Sequence, residues 1–183
     1  MRRSLFSFIL ACLLCFPLAA CGGEESPPPS AEAVLIAMQK TMTDTAQPLP
    51  DGLTYTRAVS LDHPAYLTDT FLSALYGETA RGLLDGTADE DGIPAVGDAA
   101  TYLSVAPYPC ELAVFRCSDI RTAATVAGLC RGRLDTVARG YEGSEWQSVA
   151  EGGRVSVAGC YVFLVIAEDA EAVIKGACRL VGE

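Results

Sequence analysis

Tyr161-Val162-Phe163-Leu164-Val165-Ile166-Ala167 decides the fold. The run is apolar at both odd and even positions. A strand with one face in water alternates, so this one belongs in the middle of a sheet with helices over it. Working outward, Gly152-Gly153 leads into Arg154 to Ala158, a second strand, and Gly159 turns the chain back. Downstream, Glu168-Asp169 opens a helix that buries Ala170, Val173, Ile174, Ala177 and Val181. Acidic residues suit a helix N-terminus, where unpaired N–H groups carry partial positive charge.

The same order occurs just upstream. Ala99 to Val105 reads as a strand, Pro107-Tyr108-Pro109 as a turn, and Glu111 to Cys117 as the second arm of a hairpin. Ser118 or Asp119 caps a long helix from Ile120 to Arg139 with the stripe Ile120, Ala123, Ala127, Cys130, Leu134 and Val137. Arg121, Arg131, Arg133 and Arg139 fall mostly off it. Two hairpins, each followed by a helix, predict an α+β domain: a two-layer sandwich with an antiparallel sheet from two ββα units and helices on one face. Further helices precede it. One starts after Ser30 with Val34, Leu35, Met38 and Met42 at helical spacing, and Pro48 and Pro50 end it. A short strand over 53–59 follows. Another helix is expected from Pro64 to Tyr76, with Asp62 as its cap. The segment 82–98 holds five acidic residues and four glycines and reads as a loop, with Leu83 and Leu84 docked to the core.

The first thirty residues have a different character. Arg2 and Arg3 precede an apolar run from Leu5 to Ala20, shorter than the ~20 residues needed to span a bilayer. It ends in Leu18-Ala19-Ala20-Cys21-Gly22-Gly23, which resembles the lipobox of bacterial lipoproteins. The resemblance implies cleavage between Ala20 and Cys21 and a diacylglyceryl group on Cys21. Two acyl chains anchor stably where one is marginal. Residues 1–20 are thus a signal peptide, 21–30 a Gly/Pro-rich tether that cannot pack a core, and 31–183 one domain. Removing the 20 residues before Cys21 leaves 163 of the 183.

Removing Arg2 and Arg3 takes the 13 basic residues to 11 against 23 acidic, a net charge of −12. That argues against nucleic acid, whose phosphates are held by Lys and Arg. It suits a soluble, monomeric surface domain.

A family resemblance covers Ala46 to Val181 together with the lipobox. It rests on Leu75-Tyr76-Gly77 after a helix, on Cys110-Glu111-Leu112-Ala113-Val114-Phe115-Arg116, and on Tyr161 to Ile166 running into Glu168-Asp169-Ala170. These resemble the "domain of unknown function 4358" family, mostly small lipoproteins of Clostridia and related Gram-positive bacteria. The resemblance implies a single membrane with the anchor on its outer leaflet and assigns no activity. The long acidic loop and several cysteines depart from the family pattern.

No catalytic set stands out. His63 is the one histidine, at Asp62-His63-Pro64, where a polar residue is expected structurally. Counting Thr87 as the first position, Asp89, Asp91 and Asp98 fall at the third, fifth and twelfth of a calcium-loop pattern. The first ligand is wrong and Pro94 stiffens the middle, so a solvated acidic loop is the plainer reading. Outside the leader and Cys21, five cysteines remain: Cys110, Cys117, Cys130, Cys160 and Cys178. They read as small buried hydrophobes, one disulfide among them being the alternative. Cys110 and Cys117 are too far apart along one strand to pair, at ~20 Å. Trp146 and the helix arginines offer an interface or ordinary packing. No cofactor pattern is present. The expected function is a membrane-anchored, non-enzymatic binding or accessory module of the cell envelope, with an envelope protein or cell-wall polymer as partner. The alternative is an envelope enzyme or enzyme subunit acting on cell-wall polymers.

Overall fold

The computed structural model describes residues 27–85, 95–105 and 107–183. In chain order the elements are α1 (Ala31–Asp44), β1 (Gly52–Thr56), α2 (Asp69–Tyr76), a 3₁₀ turn (Glu78–Ala80), β2 (Val96–Ser104), β3 (Glu111–Cys117), α3 (Ile120–Gly140), α4 (Gln147–Glu151), β4 (Arg154–Ala158), β5 (Tyr161–Ile166) and α5 (Ala170–Val181). The strands form one sheet in the order β1-β2-β3-β5-β4, antiparallel throughout. The α+β class, the antiparallel sheet and both ββα units are as expected.

The layering differs. Helices cover both faces, making three layers instead of two. On one face α1 and α5 bury Tyr102, Leu112, Val114, Phe163 and Val165. On the other, α2 and α3 bury Ala113, Phe115, Val162, Leu164 and Ile166. The cause is in the strands: β3 and β5 are apolar at both parities, and each face of a paired strand must be shielded from water. The two ββα units therefore place their helices on opposite faces and are not symmetric copies.

Local chemistry sets the helix ends. Ser30, Asp119 and Asp169 each accept a backbone N–H of the first turn of α1, α3 and α5. The helix expected from Pro64 starts only at Asp69, capped by Thr68 and not by Asp62. Residues 65–67 are held elsewhere: Thr56 N–H donates to Ala65 O and Leu67 N–H to Thr56 O, at 2.9 and 3.1 Å. That short extension of the sheet edge competes with the helix and wins. Ile120, expected in the stripe of α3, is 70% exposed because the first residue of the helix projects past the end of the sheet. Leu83 and Leu84 are buried as expected, and the Asp69 carboxylate accepts Leu84 and Asp85 N–H at 3.0 Å each.

Candidate functional site

Glu111 is the first residue of β3, and its parity points it at the face covered by α2 and α3. It is 4% exposed and is the one buried acidic or basic side chain among the described residues. A buried carboxylate needs partners. Arg133, on the flank of the α3 stripe, supplies a two-point contact. Its Nε and Nη2 donate to Oε2 at 2.9 and 2.8 Å, and Nε also reaches Oε1 at 3.3 Å. Tyr76, the last residue of α2, donates its hydroxyl to Oε1 at 3.2 Å. The Tyr76 ring stands edge-on to Phe115, with centroids 5.5 Å apart. Burial, then the nearby Glu111 carboxylate, pushes the Tyr76 hydroxyl well above its ordinary range, so it stays a donor. Burial alone would lower Arg133; the hydrogen bonds and charge of Glu111 outweigh it and hold the guanidinium above its ordinary value.

A cavity of about 200 Å³ opens beside this cluster. Leu103, Pro109, Val137 and Ile166 form its apolar walls. Arg133 of α3, Tyr141 at the C-terminal cap of that helix, and Glu111 form the polar part. Ser104 also lines it, but its hydroxyl is occupied: it donates to Tyr108 O at 2.7 Å and accepts Cys110 N–H at 3.3 Å. The Nη1 of Arg133 makes no hydrogen bond among the described residues, and neither does the Tyr141 hydroxyl. Donor capacity thus remains beside the apolar walls, while the net charge of the Glu111–Arg133 pair is zero.

Stability alone does not account for the pair. Replacing a buried ion pair with apolar residues of similar volume is often neutral or stabilising, by about 1–4 kcal/mol. The cluster joins the last residue of α2 and the first residue of β3 to the middle of α3. The sequence signal for it was a carboxylate at an inward parity, since 113 and 115 point the same way. Arg133 was harder to see because it borders the apolar stripe.

The cavity lies at one end of the strands and the start of the domain at the other. There Tyr161 donates its hydroxyl to Pro29 O at 2.5 Å, and Ala31 N–H donates to Asp98 Oδ2 at 2.7 Å. The seven residues of β3 separate the two ends by ~20 Å.

The other expected positions fall as follows. Ala20 and Cys21 lie outside the described residues, as do Asp89 and Asp91 of the calcium pattern. Asp98 is described and receives the first N–H of α1. Among the described residues no group of three His, Cys, Asp or Glu side chains is placed to hold a metal ion. His63 accepts Ala65 N–H on Nδ1 at 3.1 Å and organises a local turn. Trp146 packs edge-on against Tyr108 at 5.0 Å. Arg121, Arg131 and Arg139 are exposed, unlike Arg133. All five cysteines of the domain are free thiols, with Cys110, Cys117 and Cys130 buried. No described helix is long and apolar enough to cross a membrane.

Comparison of the chain with family models, with curated proteins and with solved structures found no match.

Proposed function

We propose that the protein is a lipid-anchored lipoprotein of the cell surface. Its domain is a non-enzymatic binding module, and its cavity takes a neutral polar group of an envelope polymer or protein. The anchor reading rests on Leu18-Ala19-Ala20-Cys21-Gly22 at the end of a short apolar leader. One observation carries the binding reading: a guanidinium fixed by a buried carboxylate keeps one nitrogen unspent at the wall of an apolar cavity.

The chemistry selects the ligand. With Arg133 already neutralised, a second carboxylate would sit close to Glu111 and be repelled. A carbonyl or hydroxyl oxygen can accept from Nη1 without that cost, and an adjoining methyl or ring face can rest on Val137 and Ile166. The volume fits one side chain or one sugar ring, the end group of a longer ligand. A position ~20 Å from the tethered end supports presentation away from the membrane. An enzyme that works with paired carboxylates finds little here, because Glu111 is the only carboxylate among the described residues that line this cavity and it is held by Arg133 and Tyr76.

The test is titration of the protein with neutral cell-wall peptide and saccharide fragments, followed by nuclear magnetic resonance. Saturable shifts of Tyr141 and Ile166, lost in Arg133→Lys, are expected. Shifts confined to other surfaces sink the binding reading. For the anchor, Cys21→Ala should abolish incorporation of labelled fatty acid; continued labelling refutes it.

A further inference from the structure

Cys117 ends β3, and Cys160 lies in the turn that enters β5. The β3–β5 register sets Phe115 against Val162 and Arg116 against Tyr161. The next rung places Cys117 opposite Cys160, and Cys117 N–H donates to Cys160 O at 2.8 Å. Side chains alternate along a strand, so Cys117 shares the face of Phe115 and Ala113. Cys117 is buried in the layer beneath α3, and Cys160 lines a depression with the residues that open α3, Asp119, Ile120 and Arg121. Residues opposed across antiparallel strands have Cα atoms ~4.5–5.5 Å apart, inside the ~4.4–6.8 Å range of disulfides. The other thiols lack this relation. Cys110 faces α1 and α5, Cys178 sits on α5, and Cys130 lies across the layer on α3.

We propose that Cys117 and Cys160 form a cross-strand disulfide when the protein meets a disulfide oxidant. Exposure orders the steps. Cys160 is partly accessible, in a surface depression with Ser118, Asp119, Ile120 and Arg121, whereas Cys117 is 6% exposed. The Cys160 thiolate attacks one sulfur of the oxidant RSSR, forming a mixed disulfide and releasing RS⁻. The Cys117 thiolate then attacks the Cys160 sulfur and displaces the second RS⁻. Two protein thiols are oxidised, RSSR is reduced to two RSH, and the thiol protons end on the released RS⁻. The bond ties the central strand pair at the end where the tether joins. It stands on the sheet register and is independent of the binding and anchor readings.

Peptide mapping tests it directly, because trypsin puts each of the five cysteines on its own fragment: 82–116, 117–121, 122–131, 155–175 and 176–179. The reduced, folded full-length protein is incubated with glutathione disulfide, alkylated and digested without reduction. The expected product links 117–121 to 155–175 and disappears on reduction. Cys130→Ser should leave it intact. In Cys160→Ser, a change at the more accessible position, fragment 117–121 should be recovered alkylated. Recovery of both wild-type fragments alkylated overturns the proposal. So does a link from 117–121 to 122–131.

Discussion

The two faces of the sheet solve the same burial problem with different materials. The α1/α5 face is closed by aliphatic side chains, the rings of Tyr102, Tyr108, Tyr161 and Phe163, and tight helix contact. A Cβ on Gly176 of α5 would lie 2.7 Å from Thr41 Oγ1 of α1, so the glycine lets the helices approach. The α2/α3 face accepts a buried ion pair and a cavity in the same layer. One face is spent on cohesion. The other gives up some cohesion for a polar site, which is where a protein departs from its own packing rules for a purpose.

That contrast can be broken in order of effect. On the cohesive face, Phe163→Ala removes a fully buried ring between α1 and α5 and should cost about 3–5 kcal/mol. Chemical denaturation checks it, and a loss below ~1 kcal/mol would mean that this face is not the main store of stability. On the other face, Arg133→Met strands a buried carboxylate and should cost on the order of 3–5 kcal/mol, whereas the double change Glu111→Leu with Arg133→Met should recover most of that. A double variant as unstable as the single would show that the pair serves structure first. Gly176→Ala should destabilise by about 1–3 kcal/mol through overpacking against Thr41, and a gain in melting temperature would contradict the close approach. The smallest effect is at Ala46, which follows α1 with φ +55°. Ala46→Gly should stabilise by about 1 kcal/mol; a loss would mean that the left-handed turn is not strained.

Much of the fold was legible because it rests on local periodicity. The spans of β3 and β4 follow from alternating residues and turns, and the N-terminus of α5 from Asp169. The layer count was not legible. A strand that is apolar at both parities states that both faces are buried, but not which elements cover them. The start of α2 was misplaced because Tyr66 and Leu67 fit a helical face equally well. Their pairing with Thr56 is a contact between segments, invisible to any window of sequence. Of the site, Glu111 stood at an inward parity and Arg133 at a stripe edge, 22 residues apart. Their meeting depends on how α3 crosses the sheet. The Cys117–Cys160 rung has the same origin: it exists only once β3 and β5 are neighbours.

The bond from Tyr161 to Pro29 fixes where a pull on the N-terminal segment enters the domain. Helix α1 starts there and runs ~21 Å toward the opposite end, where Gln47 exchanges hydrogen bonds with the backbone of Asp169. A force through Pro29 therefore acts along the axis of α1, parallel to the strands. Its contacts with the sheet and α5 are loaded together in shear instead of one after another by peeling. Tension through the N-terminal segment is thus resisted by the apolar face that α1 and α5 cover, while the cavity at the far end stays outside the line of force.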